Sequence, residues 1–300
     1  MTAMRSVFSS MGTAVSLEWE PAPRTGSVAD NVEQAFAELD RDFSLFRPDS
    51  ELSRIGRGEL RLLDAGEPVH AVYAQALEWR SRTSGAFTPH RPDGVIDLSG
   101  IVKALAIDRA GAVMEAAGLV DWCVNAGGDI LRGAVARRRS VGIVDPDDRT
   151  KLLCAVVLDG SRRAVATSGG SERGDHIWPR EDATGVRYSQ VTVVADDIVS
   201  ADVLATAIVA GGPTTLAEAA RRWSVDILTV STTGNLSATP GFRTSLADHR
   251  SDPPRVGAAA GSSRRGSRGL LLPWRSTPTS PELSTPTSLT VPGSPAGSTG

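Results

Sequence analysis

The sequence predicts an α+β fold over residues 1–250, with antiparallel sheets packed against helices. Three observations carry this expectation. A pair of alternating runs opens the chain about a Met-Gly-Thr turn, and several strand-like runs recur between residues 122 and 195. Between them stand stretches whose apolar residues repeat at helical spacing. Short Asp-, Gly- and Pro-rich joints separate the later runs, as in hairpin-connected strands.

Composition sets the bounds. Three hundred residues allow one large domain or two small ones. With Lys+Arg at 32 against Asp+Glu at 35, the net charge of −3 gives no electrostatic footprint for nucleic acid. The two cysteines, Cys123 and Cys154, sit in apolar runs and read as buried free thiols, with no zinc spacing or disulfide framework. No run of about 18 apolar residues predicts a membrane span, and the first residues lack the apolar core of a secretory signal. The expected localisation is cytoplasmic.

Residues 5–20 read as two strands meeting at Met11-Gly12-Thr13, with Val15, Leu17 and Trp19 alternating in the second. From Asp30 a helix places Phe36, Leu39, Phe43 and Phe46 at helical spacing. The first three are core; Phe46, beside the Pro48 that ends the helix, is placed to wall a pocket. A second amphipathic helix spans about 68–84 and is closed by Ser84-Gly85-Ala86-Phe87-Thr88-Pro89.

The stretch 97–133 is the centre of the chain. Asp97 and Gly100 stand at the entrance of a largely apolar helix that Gly118 stops. A helix entrance offers free N–H groups and a positive dipole end to anions. Lys103 in its first turns opposes that dipole unless an anion such as a phosphate lies between, although a merely solvated Lys fits the spacing as well. Trp122-Cys123-Val124 then has strand propensity, and Asn125-Ala126-Gly127-Gly128-Asp129 must turn tightly, either as a plain turn or to let backbone approach a ligand.

Strand-like runs at 141–144, 152–158 and 164–167 read as an antiparallel meander. A polar loop, 168–185, carries His176 next to Asp175, a general acid or base in the sharp reading and an exposed loop residue in the plain one. The next helix is expected to have Ser200 as its N-cap and Gly211-Gly212-Pro213 as its stop. Within it Asp202 and Thr206 are one turn apart on one face. A carboxylate and a hydroxyl stacked that way are hard oxygen ligands suited to Mg²⁺ when substrate phosphates complete the shell. The alternatives are an acid that suits the dipole and a Thr bonded back to its own helix. A further helix at 214–223 and a hairpin at 225–237 complete the globular part. Beyond residue 250 the Pro, Ser, Thr, Gly and Arg composition predicts a disordered tail, 251–300.

These pieces together resemble one family, the FAD:protein FMN transferases, or ApbE family. The matching stretches, in order, are Met11-Gly12-Thr13, FRPDSELSRI from Phe46, SGAF from Ser84, DLSGIVKALAIDRA with VNAGGDI, VGIVDP, AVATSG and SADVLATA from Ser200. The resemblance implies an ApbE-like α+β fold that binds FAD, cleaves its pyrophosphate with Mg²⁺, and passes FMN to a Ser or Thr of an acceptor flavoprotein, releasing AMP. By motif position it implies Gly100 (through its carbonyl), Asp202 and Thr206 as metal ligands. Met11, Phe46, Ala86, Phe87, Thr88, Asp97 and Lys103 correspond to FAD contacts, and His176 with Asp202 to the catalytic groups.

The chain departs from the family pattern in three places. Only nine residues, 88–96, connect Phe87 to Asp97, where the family has several dozen more beginning with Asp rather than Thr88. The loop before His176 is short and its motif lacks an Asp, and Ala205 offers a metal only backbone. These departures leave two further readings open, an FAD pyrophosphatase giving free FMN and AMP, and a non-catalytic FAD-binding protein.

Overall fold

The computed structural model describes residues 3–22, 26–135, 137–169 and 185–246. The expected tail, 251–300, and His176 lie outside the described residues. The helices are α1 (Val28–Phe43), α2 (Glu51–Gly56), α3 (Glu67–Arg82), α4 (Ser99–Ala116), α5 (Ile198–Arg222) and α6 (Pro240–Thr244). The strands are β1 (Met4–Ser10), β2 (Thr13–Trp19), β3 (Trp122–Ala126), β4 (Asp129–Arg132), β5 (Arg139–Val144), β6 (Leu152–Leu158), β7 (Ala164–Gly169), β8 (Tyr188–Ala195), β9 (Asp226–Ser231) and β10 (Leu236–Ala238). The architecture is mixed α+β, an antiparallel sheet packed against helices.

Among the described residues eight strands form one sheet in the order β1-β2-β3-β4-β7-β8-β9-β10, and each pairing is antiparallel. The opening strands meet in a tight turn in which Met11 has φ 50° and Gly12 φ 71°. Gly127 (φ 63°) and Gly128 (φ 97°) form the second such turn, between β3 and β4. Two consecutive residues at positive φ give the turn geometry that matches the twist of a two-residue hairpin. The two turns lie side by side: Gly127 N–H donates to Ala14 O at 3.2 Å.

The expected meander over 141–167 is corrected. Strands β5 and β6 pair with each other as a separate ribbon, and β7 leaves it to join β4 and β8 in the main sheet. Local alternation identifies strands but not which sheet takes them.

Helix α4 is buried along most of its length, and only a strip that includes Asp108, Arg109 and Glu115 reaches solvent. It approaches β3 closely because Gly111 has no side chain; a Cβ there would come within 2.7 Å of the Trp122 ring. Gly118, at φ 78°, follows its end as the left-handed stop residue. Helix α5 packs against β7, β8 and α4. It begins three residues earlier than expected, because Asp197 rather than Ser200 is the N-cap and accepts the Ser200 N–H at 2.7 Å. Gly212 leaves helical geometry (φ 66°, ψ −152°), so the expected stop at Gly211-Gly212-Pro213 is where the first helical segment ends, and the second, expected at 214–223, follows at once and runs to Arg222. By length and composition this helix passes as a membrane span, yet most of it is buried in the core. Both cysteines are free and only half-buried, and burial pushes each thiol up to about 11.

Candidate functional site

Helices α4 and α5 bring polar residues to the same end of β4 and β7. Lys103, in the second turn of α4, is 7% exposed and forms an ion pair with Asp129, the first residue of β4, which is 0% exposed. The other oxygen of that carboxylate, Oδ1, accepts the Thr167 N–H at 3.0 Å. The next residue of β7, Ser168, hydrogen-bonds through Oγ to Thr206 Oγ1 of α5 at 3.0 Å. One turn earlier on the same helix stands Asp202, 4% exposed. A polar path thus runs Lys103, Asp129, Thr167-Ser168, Thr206, with Asp202 one turn before Thr206, and it joins α4 and α5 across β4 and β7.

The local sequence explains why these groups meet. The Gly127-Gly128 turn reverses the chain within two residues and so places Asp129 beside the start of α4. Small residues then let the elements close in. A Cβ on Gly100 would meet Phe87 Cε2 at 3.1 Å, and one on Gly211 would meet Ala86 Cβ at 3.0 Å. The Ser84-to-Pro89 loop is therefore wedged between α4 and α5. Ser84 (φ 54°) and Gly85 (φ 81°) turn it inward, and the Thr83 hydroxyl accepts the Phe87 N–H at 3.1 Å.

The structure collects most of the sequence-predicted residues at this junction. Met11 forms the turn beside Gly127, Phe87 is buried against Gly100 at the start of α4 and Ala86 against Gly211 of α5, and Asp97 begins α4 by accepting the Ser99 N–H at 2.9 Å. Thr88 Oγ1 accepts the His90 N–H at 3.2 Å within the short connection, which forms a small hairpin through the His90–Ile96 bridge. Tyr73 of α3 hydrogen-bonds His90 Nε2 at 2.9 Å, and burial, aided by Arg80, lowers the His90 pKa. Lys103 is neither solvated nor alone, since it is buried against Asp129. Phe46 stands apart at 91% exposure, on a loop braced by Ser50 and Ser53 hydroxyls donated to Ser44 O. His176 lies outside the described residues.

Two site residues escaped the reading of individual side chains. Asp129 was legible only as part of a Gly-Gly-Asp turn, and Ser168 only as the Ser of AVATSG. Nothing local marks either as facing a helix distant in sequence.

The donor chemistry fits a hard cation. Asp202 and Thr206 offer one carboxylate and one hydroxyl from one helical face, with the Gly100 carbonyl near the start of the neighbouring helix, and all three donors are oxygen. Among the described residues no three His, Cys, Asp or Glu side chains converge on a metal position. The protein by itself would supply only part of a shell, as is usual for Mg²⁺ sites completed by substrate phosphates.

Fold and junction together define a mixed α+β protein with oxygen donors and a buried ammonium group gathered between two helices and one sheet. The ApbE family model matches residues 11–93 and 88–229, and the chain belongs to the ApbE family. The two matched pieces overlap at 88–93, in the shortened hairpin. Among solved structures, the chain is similar to the ApbE protein of Thermotoga maritima, with a TM-score of 0.70 and 19% identity over 82% of this chain and 100% of that one. The flavin transferase ApbE of Vibrio cholerae gives a TM-score of 0.63 and 20% identity over 82% and 100%. The apo flavinyl transferase ApbE of Pseudomonas stutzeri gives 0.64 and 16% over 82% and 98%. No curated protein matches the chain.

Proposed function

We propose that this protein is a Mg²⁺-dependent FAD:protein FMN transferase that moves FMN from FAD to a Ser or Thr hydroxyl of an acceptor flavoprotein and releases AMP. The observation that carries this reading is the polar path from Lys103 to Thr206, with Asp202 one turn before Thr206 on the same helix. It brings an ammonium group and a carboxylate–hydroxyl pair, from two helix beginnings, to one end of the sheet.

In the transfer, the bond between the FMN phosphorus and the bridging oxygen breaks, and the acceptor hydroxyl oxygen forms the new bond. AMP leaves with the bridging oxygen, and the hydroxyl gives up its proton. Lys103 donates to the pyrophosphate with its direction fixed by Asp129. Gly100, Asp202 and Thr206 would hold Mg²⁺, which when bound screens the pyrophosphate and stabilises the charge developing in phosphoryl transfer. His176, by its motif position, is the group proposed to manage the proton. Holding the two reactants in line supplies much of what remains.

The test is incubation with FAD, Mg²⁺ and a flavoprotein bearing a modifiable Thr, followed by intact mass. A gain of one FMN on the acceptor with AMP in solution supports the proposal. Free FMN with AMP, and no labelled acceptor, would make the protein an FAD pyrophosphatase. Retention of intact FAD in the presence of Mg²⁺ would make it a binding protein without catalysis.

A further inference from the structure

We infer that Ser168 is a positioning residue that orients the Thr206 hydroxyl, so that its lone pairs face the cation position and its proton is held away from it. The inference rests on the proposed Mg²⁺-dependent function and extends it to a residue that no motif argument assigned.

A threonine hydroxyl carries one proton and two acceptor lone pairs. On a helix the proton commonly turns back to the carbonyl one turn earlier, here that of Asp202. In this structure Thr206 Oγ1 instead meets Ser168 Oγ at 3.0 Å. Either oxygen can donate in an isolated pair, but a hydroxyl that binds a cation through its oxygen must send its proton elsewhere. Ser168 Oγ then becomes the acceptor of the Thr206 O–H.

The support behind Ser168 makes it a fixed acceptor rather than a free rotor. Ser168 is 9% exposed and lies within the β7–β8 ladder opposite Val191. On its N-terminal side, Thr167 is pinned twice, by its N–H to Asp129 Oδ1 at 3.0 Å and by its hydroxyl to Thr192 Oγ1 at 2.9 Å. Helix α5, which carries Thr206, packs directly on β7. Outer partners of this kind set the direction of a ligand atom, and losing one typically weakens metal affinity about 10–100-fold.

The test uses the full chain and two readouts. One is the Mg²⁺ concentration giving half the thermal stabilisation in the presence of saturating ADP, a diphosphate that carries no FMN to transfer. The other is the Mg²⁺ dependence of AMP release from FAD. Ser168→Ala is expected to raise the half-point about 10-fold or more in both, with a much smaller fall in turnover at saturating Mg²⁺. Ser168→Thr, which restores a hydroxyl, is expected to recover most of the loss. A half-point for Ser168→Ala equal to the unsubstituted protein's would overturn the inference. So would an equal loss of turnover at every Mg²⁺ concentration, which marks a merely structural role. Abolition of Mg²⁺ dependence in Asp202→Asn alone, with Ser168→Ala unaffected, would sink this inference and leave the transferase reading standing. Absence of any Mg²⁺ response in the unsubstituted protein would remove both.

Discussion

Lys103 and Asp129 form an ion pair from which water is almost wholly removed, with side-chain exposures of 9% and 0%. A buried pair of this kind adds little net stability over an apolar substitute, because desolvation offsets the attraction. Breaking it is different, since the remaining charge is then buried without its counter-ion. The pair therefore acts as a lock on geometry, holding the second turn of α4 against the first residue of β4.

Replacing one partner should show this asymmetry. Asp129→Ala is expected to cost about 3–5 kcal/mol, and the double variant Lys103→Met, Asp129→Leu clearly less. Urea denaturation of the single and double variants measures both. A loss under about 1 kcal/mol in Asp129→Ala would mean that the pair is not the lock described.

Asp202 tests the metal assignment. Asp202→Asn keeps the side-chain shape while removing the single carboxylate of the donor set Gly100, Asp202 and Thr206. We expect AMP release to vanish while FAD binding, followed by flavin fluorescence, stays measurable. Turnover at the unsubstituted rate would exclude Asp202 as a metal ligand.

The Gly127-Gly128 turn is predicted to tolerate no side chain at its first position. Gly127 has φ 63°, and a Cβ there would approach Thr13 Oγ1 to 2.6 Å. Gly127→Ala should cost about 2 kcal/mol or more, from left-handed backbone strain together with overpacking. Adding Thr13→Ala should return only the overpacking part, as a lower urea midpoint that rises partway back. Full recovery in the double variant would show that backbone strain is absent.

A pH dependence follows from Asp121. Burial raises the pKa of its carboxyl, but hydrogen bonds from Arg137 (2.7 Å) and Arg139 (3.0 Å) outweigh that and hold it below the ordinary carboxylate value. A folded-state pKa below the unfolded one, which is about 3.9, gives stability that is complete above the unfolded value. That stability is lost as pH falls through the lower, folded-state value. Asp121→Asn should therefore destabilise at pH 6 and make little difference at the acid end. Urea midpoints of both proteins across that range decide it, and a difference that does not shrink on acidification would contradict the assignment.

The individual elements were legible because their signals are local. Val15, Leu17 and Trp19 alternate, Met11-Gly12 turns, Gly118 stops α4, and each depends on near neighbours in the chain. The errors fell where two local candidates compete or where a distant partner decides. Asp197 rather than Ser200 caps α5, and β7 leaves the ribbon of β5 and β6 for the main sheet.

By itself the sequence determined the α+β class, most of the helices and strands though not α2, β4 or α6, and the pairing of Asp202 with Thr206 on one face, because side-chain periodicity and turn chemistry act over a few residues. Only the tertiary structure decided that Lys103 is buried against Asp129, that Ser168 meets Thr206, and that Phe46 stands out in solvent. Those relations join residues of different elements, and their geometry is set by how closely glycines such as Gly100, Gly111 and Gly211 let the elements pack. Close packing is a property of the assembled core, and no stretch of chain carries it alone.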